Sequence, residues 1–355
     1  MNLADHTTLG LGGPARRFVA AGTDEDLIEA VRAADARGEP VLILGGGSNL
    51  VVADEGFDGT VIQVATKGLR RIGGSGGSSP RSQHGRGTGL VNVAAGEDWD
   101  AVVAWTIGAG LAGLECLSGI PGLAGATPIQ NVGAYGQEVA DTITAVRTYD
   151  RVTGQIKIFP NGQCGFGYRT SMFKRDDARR HVVLDVTFRL AEQAVSGPLR
   201  YAELAAALGG EIGDRAASAD VRSAVIELRR RKGMVIDSTD PDTRSAGSFF
   251  VNPVLDGAAL AAVEAAARTP VPRFDAGDGL VKVPAAWLIE RAGFGKGFSL
   301  GGGARISSKH TLALVNTGSA TTAQLLALAR HIRDGVRDTF GVSLTPEPVL
   351  VGVTL

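Results

Sequence analysis

The sequence GLECLSGIPGLAGATPIQNVGAYGQEV, from Gly113 to Val139, contains six glycines and only two charged side chains. Because glycine has no Cβ, it lets the backbone approach a bound group closely or adopt a positive φ, at a cost in chain entropy. A tight turn is the ordinary explanation for an isolated glycine. Here the short polar residues Ser118, Thr127, Gln130 and Asn131 lie between the glycines and suit a pyrophosphate or the edge of a flat ring. The stretch therefore favours a site for a large flat ligand.

A second glycine-rich turn, GGGSN at residues 45–49, follows the apolar run at 41–44. A Rossmann fingerprint would place a third glycine where Leu50 stands and then a helix, whereas VVADEGF follows. The chain also lacks the GxxxxGK[ST] motif of a P-loop. The remaining physical option is a nest, in which consecutive backbone N–H groups converge on phosphate oxygens without a helix.

Composition excludes several classes of protein. The net charge of −1 gives no global attraction to nucleic acid or to an anionic membrane. Cys116 and Cys164 form no CxxC pair and the five histidines form no HExxH motif, so we expect neither a disulfide framework nor a metal site. With no apolar leader at the N-terminus and no apolar run of membrane-spanning length, we expect a cytoplasmic protein.

The glycine-, serine- and arginine-rich segment 67–90 predicts a flexible, solvated loop, because it holds too little apolar surface to offset its ordering. Contact with RNA is an alternative for an arginine-bearing segment, but the segment lacks the interleaved aromatic residues that RNA binding favours. We therefore expect no nucleic-acid partner.

Periodicity predicts a mixed α+β chain. A capping Thr23 with Asp26 three residues on predicts a helix that ends at Gly38. Alternating or apolar runs predict strands at 41–44, 60–64 and 90–94, a hairpin of AVRTYD with QIKIF, and a strand in HVVLDVTFRL. Further helices are predicted at 99–109, 219–232, 258–269, 287–292 and 321–340. At about 150 residues per domain, the 355 residues favour two or three domains, with a boundary near Leu199.

Seven sequence blocks together resemble one known family, the UDP-N-acetylenolpyruvoylglucosamine reductases of bacterial peptidoglycan precursor synthesis. They are TTLGLGGPA (7–15), VLILGGGSNLVV (41–52), GIPGLAGATPIQNVGAYG (119–136), FGYRTSMFK (166–174), AGSFFVNP (246–253), KVPAAWLIERAG (282–293) and LTPEPVLVG (344–352). The chain resembles the type with a tyrosine loop that closes over the substrate. Because the blocks span nearly the whole chain, the resemblance is far more specific than any single motif.

The resemblance implies a two-lobed FAD-binding region of the vanillyl-alcohol oxidase/PCMH type, followed by an α+β substrate-binding domain. We expect lobe 1 at 1–66, lobe 2 at 67–198 and the substrate domain at 199–355, whose C-terminal strand returns Glu347 to the active site. FAD would bind non-covalently. Its implied ligands are Gly45, Gly46, Gly47, Ser48, Asn49, Gly119, Gly122, Gly125, Ala126, Thr127 and Gly133.

The implied reaction transfers a hydride from flavin N5 to C3 of an enolpyruvyl ether and a proton to C2. The resemblance assigns Arg169 and Glu347 to stabilising the enolate, and Ser248 to delivering the proton. For an arginine, a strand-end glutamate or a turn serine outside such a family, the ordinary explanations are a surface ion pair, an exposed carboxylate and a helix cap. A guanidinium fork suits a substrate carboxylate, and a glutamate buried against the intermediate would have a raised pKa.

The remaining pocket residues also come from the resemblance: Tyr168, Tyr201, Lys232, Asn252 and Lys282 would bind substrate. Phe274 stands where several relatives have a second tyrosine, which removes one hydroxyl near the uridine. NADPH and UDP-N-acetylglucosamine enolpyruvate would occupy one pocket in turn, in a monomeric enzyme. Two alternatives remain open: a flavin oxidase of the same fold, and a catalytically silent sugar-nucleotide-binding protein.

Overall fold

The computed structural model describes residues 1–72, 87–175 and 179–355. The helices are α1 (Asp24–Ala36), α2 (Trp99–Gly108), α3 (Met172–Arg175), α4 (Ala202–Ala207), α5 (Ser218–Arg231), α6 (Gly257–Ala267), α7 (Ala285–Arg291) and α8 (Thr322–Phe340). The strands up to residue 192 are β1 (Ala15–Ala21), β2 (Val41–Leu44), β3 (Leu50–Val52), β4 (Phe57–Val64), β5 (Leu69–Ile72), β6 (Thr88–Ala94), β7 (Leu111–Ala112), β8 (Gly133–Ala134), β9 (Gln137–Glu138), β10 (Ile143–Asp150), β11 (Gln155–Pro160) and β12 (His181–Glu192). The later strands are β13 (Ser245–Ser248), β14 (Val254–Leu255), β15 (Phe274–Gly277), β16 (Leu280–Lys282), β17 (Ala304–Ile306), β18 (Ala313–Asn316) and β19 (Val349–Val351).

Local sequence signals set the ends of the main helices. Thr23 and Asp26 form the predicted capping box of α1, each side chain accepting a backbone N–H from the other's residue. Thr321 and Gln324 form a second capping box at the start of α8, which ends at Gly341 in the left-handed conformation. The predicted mixed α+β class is confirmed.

Two compact units divide the chain. Unit 1 comprises residues 1–15, 47–57 and 232–355, and unit 2 comprises residues 16–46 and 58–231. These units cut the chain at other points than the three predicted domains. Residues 199–231 group with unit 2 because α4 and α5 pack their apolar residues, including Leu204 and Val225, around the buried Cys116.

Unit 2 is built on two main sheets. A three-stranded sheet has the order β1-β4-β2, and β2 pairs with β4 in parallel. The larger sheet has the order β11-β10-β12-β6-β5, and β7 also pairs with β12. The predicted hairpin is confirmed, because β10 and β11 pair from Ala145 with Pro160 to Asp150 with Gln155. Strand β12 pairs on both sides and therefore lies inside the sheet, and its residues Val186 and Phe188 are completely buried.

The predicted loop 67–90 was too long at both ends. Strand β5 pairs antiparallel with β6, from Leu69 with Val93 to Ile72 with Leu90. Pairing with a buried neighbouring strand therefore overrides the low apolar content of LRRI. The rest of the predicted loop, at 73–86, lies outside the described residues.

Unit 1 combines small sheets with α6, α7 and α8. One sheet has the order β13-β18-β17, a second β14-β16-β15, and β19 pairs in parallel with β3. Helix α8 supplies Leu325, Ile332 and Val336 to a core that also contains Phe249 and Phe250 of the AGSFFVNP block. The catalytic candidates at 248 and 347 therefore lie on backbone that is anchored in an apolar core.

Within the described residues, no helix has the length and apolar character needed to cross a membrane. The same part of the chain places no group of three or more His, Cys, Asp or Glu side chains where they could hold a metal ion. Both cysteines are buried free thiols. Burial raises the pKa of Cys116 to about 12 and that of Cys164 to about 11, so both are unreactive at neutral pH.

A buried carboxylate closes the β10–β11 hairpin. Asp150 is completely buried. Its carboxylate accepts hydrogen bonds from Nε and Nη2 of Arg180, both at 2.9 Å, and lies 2.7 Å from the Lys157 ammonium. Its Oδ1 also accepts the N–H of Val152 in the turn. The hydrogen bonds from Arg180 are the main reason why the pKa of Asp150 lies far below its ordinary value.

We expect Asp150→Asn to lower the free energy of unfolding by about 3 kcal/mol near neutral pH, because it leaves two cations without their buried partner. The cost should lie at the low end for buried pairs, since about a third of each cation's side chain is exposed. Urea unfolding of the variant and of the wild type measures this difference in the free energy of unfolding. A carboxylate whose pKa is depressed in the folded state contributes stability above its unfolded pKa and loses it as the pH falls. The difference between wild type and variant should therefore shrink below about pH 4; a difference that does not change with pH would contradict this assignment.

Candidate active site

Two glycine backbones meet in unit 2. A Cβ on Gly46 would lie 2.8 Å from the Cα of Gly122, too close for any side chain without a backbone shift. Gly46 is itself exposed, as is Ala126 in the same region of the sequence blocks. In the described part of unit 2, the N–H groups of Gly46, Gly122 and Leu123 donate to no protein acceptor. Unpaired amides on two close backbones suit the oxygens of a diphosphate. The predicted nest placed all of its amides at residues 45–49, whereas Gly122 and Leu123 belong to the other glycine-rich segment.

The turn that follows is held by packing. The N–H of Gly125 donates to Ala95 O at 2.9 Å, and a Cβ on Gly125 would lie 2.4 Å from the Ala95 Cβ. The hydroxyl of Thr127 donates to Ala124 O at 2.8 Å, which closes a short 3₁₀ turn. Gly125 therefore has a sufficient packing reason to be glycine, whatever it contributes to a cofactor.

In unit 1 the same turn begins with a residue that cannot be anything but glycine. Gly47 has φ +62°, and a Cβ there would lie 1.9 Å from the carbonyl oxygen of His6. Its carbonyl accepts the N–H of Thr8 at 3.2 Å. Ser48 and Asn49 follow, both half-buried, and Asn49 O accepts the N–H of Val349 at 2.9 Å.

Two predicted catalytic residues lie on adjoining backbone in unit 1. Ser248 ends β13, and the next carbonyl, that of Phe249, accepts the N–H of Glu347 at 2.9 Å. The amide Nδ2 of Asn49 lies 3.4 Å from the carbonyl oxygen of Glu347. Ser248 and Glu347 are both half-buried. The fold thus brings the backbones around Ser248 and Glu347 to the end of the GGGSN turn, although these residues are far apart in sequence.

Arg169, in unit 2, has an unusual backbone and a fixed guanidinium. Its φ is +53°, which is uncommon for a residue with a side chain. Its Nη2 donates to Gly133 O at 2.8 Å, and the guanidinium lies 5.4 Å from the centre of the Tyr168 ring. The strained backbone and the two contacts hold the cation against the glycine-rich segment. This preorganisation suits stabilisation of a developing anion.

The predicted substrate residues are spread over both units. In unit 2, Tyr168 flanks Arg169, and the exposed Tyr201 lies edge-on against Tyr135 with 5.3 Å between ring centres. In unit 1, Oδ1 of Asn252 accepts the N–H of Ala285 at the start of α7. Unit 1 also contains the half-buried Lys232 and Lys282 and the exposed Phe274.

Sequence reasoning missed a polar cluster in unit 2 around Tyr135 and Arg229. Burial raises the pKa of Tyr135 to about 12 and lowers that of Arg229 to about 10, so the arginine stays charged at neutral pH. Arg229 belongs to the RRRK run, which by sequence suits the negative end of the helix dipole. Arg229 is followed by two further arginines, and nothing in the sequence distinguishes it as the one whose guanidinium is desolvated. Tyr135 was visible as the aromatic residue of the glycine segment.

The fold and its glycine turns define an FAD-binding oxidoreductase. Residues 15–159 match the profile of an FAD-binding domain, and residues 240–351 match the C-terminal domain of UDP-N-acetylenolpyruvoylglucosamine reductase. Relatives given that enzyme name are 53% identical in Thermobifida fusca and 55% in Saccharopolyspora erythraea. The alignments cover 99% of this chain, and 97% and 95% of those relatives.

The chain belongs to the UDP-N-acetylenolpyruvoylglucosamine reductase family. A crystal structure of the enzyme from Thermus caldophilus superposes with a TM-score of 0.63 at 26% identity, covering 99% of this chain and 97% of that one. The predicted family, fold class and FAD cofactor are confirmed. The unpaired amides at Gly46, Gly122 and Leu123, within the described part of unit 2, fit the anionic diphosphate of FAD.

We expect Gly46→Ala to weaken FAD binding at least about tenfold, since about 1.4 kcal/mol of distortion suffices for that change. The added methyl group would push the Gly46 backbone away from Gly122. Gly108→Ala is a matched control, because a Cβ there meets nothing within 4 Å. FAD release on dilution, followed by the rise in flavin fluorescence, measures the affinity. Equal FAD affinity in the two variants would show that close approach at residue 46 is not needed.

Proposed function

We propose that this protein reduces UDP-N-acetylglucosamine enolpyruvate to UDP-N-acetylmuramate with electrons from NADPH, as a step of peptidoglycan precursor synthesis. Membership of the reductase family over nearly the whole chain is the observation that carries the proposal. FAD, when bound, supplies the hydride that adds to C3 of the enolpyruvyl group. The protein's own residues must then bind the substrate, stabilise negative charge at C2 and its carboxylate, and deliver a proton.

Ser248 is our candidate for the proton donor to C2. It ends β13, and the carbonyl of the next residue, Phe249, is held by the N–H of Glu347, which fixes the local backbone. Phe249 and Phe250 are almost completely buried, so the strand end is rigid. A hydroxyl is a weak acid, and the transfer is feasible because the carbanion that develops at C2 is strongly basic.

Arg169 and Glu347 are our candidates for stabilising the enolate. The guanidinium of Arg169 is already oriented by Gly133 O and by the Tyr168 ring, so little reorganisation would oppose the reaction. Its planar fork matches the geometry of a substrate carboxylate. Glu347 would act in its protonated form, in which it donates a hydrogen bond to the enolate instead of repelling it.

The remaining ligands complete the proposal. Lys232, Asn252 and Lys282 would bind the substrate diphosphate and sugar, and Tyr201 would close over the diphosphate. We propose that NADPH and the sugar nucleotide use one pocket in turn, in a monomeric cytoplasmic enzyme. The three functional regions predicted from sequence, 1–66, 67–198 and 199–355, stay part of this proposal, with GGGSN and GIPGLAGAT as the FAD-binding turns.

We expect the purified protein to be yellow and to be bleached by NADPH without oxygen. The reduced enzyme should be reoxidised by UDP-N-acetylglucosamine enolpyruvate far faster than by air. Stopped-flow absorbance of the flavin measures both half-reactions. Faster reoxidation by oxygen would instead support a flavin oxidase, and a colourless protein that does not take up FAD would support a silent sugar-nucleotide-binding protein.

We expect Ser248→Ala to keep NADPH-driven bleaching unchanged and to slow reoxidation by the enolpyruvyl substrate roughly 10²- to 10⁴-fold, the usual range for a lost general acid. Ser245→Ala is the matched control on the same strand, since within the described residues the Ser245 hydroxyl accepts the N–H of Gly247 and makes no other hydrogen bond. It should leave both half-reactions within about twofold of wild type, because it removes one neutral hydrogen bond. If Ser248→Ala slows the two half-reactions equally, Ser248 is not the proton donor.

A further inference from the structure

Two consecutive residues of unit 2 hold the glycine-rich segment at three points. The indole Nε1 of Trp99 donates to Leu117 O at 3.2 Å, and the backbone N–H of Trp99 donates to Gly122 O at 3.0 Å. Between these two bonds, Asp100 Oδ1 accepts the N–H of Gly119 at 2.6 Å. The start of α2 therefore fixes the backbone on both sides of Gly119 and at Gly119 itself.

A charged fork on α5 orients the Asp100 carboxylate. Arg222 Nη1 donates to Asp100 Oδ1 at 2.6 Å, and Nη2 donates to Oδ2 at 2.8 Å. Burial favours the neutral acid, but the bonds from Arg222 and Gly119 prevail and keep the pKa of Asp100 below its ordinary value. The carboxylate is therefore charged at neutral pH and cannot rotate freely, which strengthens its bond to the Gly119 amide.

Helix α5 is itself fixed to the same part of unit 2. Val221 and Val225 pack in the cluster around the buried Cys116, three residues before Gly119. Arg222 thus projects from a helix whose neighbouring side chains already contact the segment leading into the glycine turn. The apolar cluster and the ion pair fix α5, α2 and residues 116–122 as one rigid group.

We propose that Asp100 is a positioning residue for FAD, which acts through Gly119, and that Arg222 holds it in place. This inference rests on the proposed function, because it assumes that residues 119–127 bind the cofactor. Gly119 has φ +70°, and the bond from its amide to Asp100 keeps this turn conformation. Losing the bond should let the backbone between Leu117 and Gly122 relax and should displace the amides of Gly122 and Leu123.

The chain offers a closely matched control pair. Arg151 contacts both oxygens of Asp35 through Nε and Nη2, and this pair links the β10–β11 turn to α1. The side chains of Arg151 and Asp35 are 16% and 32% exposed, compared with 21% and 34% for Arg222 and Asp100. Asp35 accepts no backbone N–H of the glycine segment among the described residues. The two pairs therefore differ chiefly in what the carboxylate holds.

The test compares Asp100→Asn with Asp35→Asn as holoenzymes. FAD release on dilution, followed by the rise in flavin fluorescence, gives the dissociation constant, and thermal unfolding gives the stability. We expect Asp100→Asn to raise the FAD dissociation constant about tenfold and to shift the visible flavin spectrum, as befits a lost charge-assisted hydrogen bond. Asp35→Asn should lower the unfolding temperature about as much as Asp100→Asn does, but it should not change the FAD affinity or the flavin spectrum.

Arg222→Lys keeps the positive charge and loses the fork, so its FAD affinity should lie between those of wild type and Asp100→Asn. It also supplies a readout if Asp100→Asn does not fold. An FAD affinity in Asp100→Asn or Arg222→Lys that equals wild type would overturn the positioning role alone. Absence of FAD from the wild-type protein would instead overturn the proposed function and this inference with it.

Discussion

Direct contact between backbone segments is the constraint on which the site depends. At Gly46 the opposing atom is the Cα of Gly122, and at Gly47 it is the carbonyl oxygen of His6. Neither contact leaves room for a Cβ, so the turn after β2 can be built only with glycine. Because side chains are excluded, backbone amides are the groups that remain available to a ligand at this turn. A site made from amides binds a diphosphate through fixed dipoles and needs no excess of positive charge, which agrees with a net charge of −1.

Most of the fold was open to prediction because its signals are local. The capping box at Thr23, the apolar run of β2 and the hairpin of AVRTYD with QIKIF each depend on neighbouring residues, and each is confirmed. Strand β5 was missed because its pairing with β6 and the packing of Leu69 against the core are contacts with distant residues. The grouping of α4 and α5 with unit 2 likewise depends on contacts between distant residues. Their apolar residues have no local sign of packing around Cys116.

The candidate site likewise has one part that the sequence indicates and another part that only the structure shows. The glycine turns and Arg169, Ser248 and Glu347 could be proposed from the sequence because the resemblance carries them as whole blocks. The geometry around these residues could not be predicted from the sequence. Nothing near FGYRTS predicts that Arg169 takes a positive φ and donates to Gly133 O, 36 residues earlier. The adjoining backbones of Ser248 and Glu347 likewise follow from a pairing across nearly a hundred residues.

The charged side chains around the glycine segment show that a motif match leaves out residues on which a site depends. Asp100 and Arg222 lie outside every sequence block that carried the resemblance, yet their contacts end on Gly119, the first residue of one block. A motif records the residues that face a ligand and omits those that hold the motif's backbone. A carboxylate that accepts a half-buried amide and is held by an arginine fork restricts the backbone more than a neutral contact does. In this chain, residues on α2 and α5 hold the backbone of the glycine turn in place. These residues belong to no sequence motif, so their contacts with the turn are visible only in the folded structure.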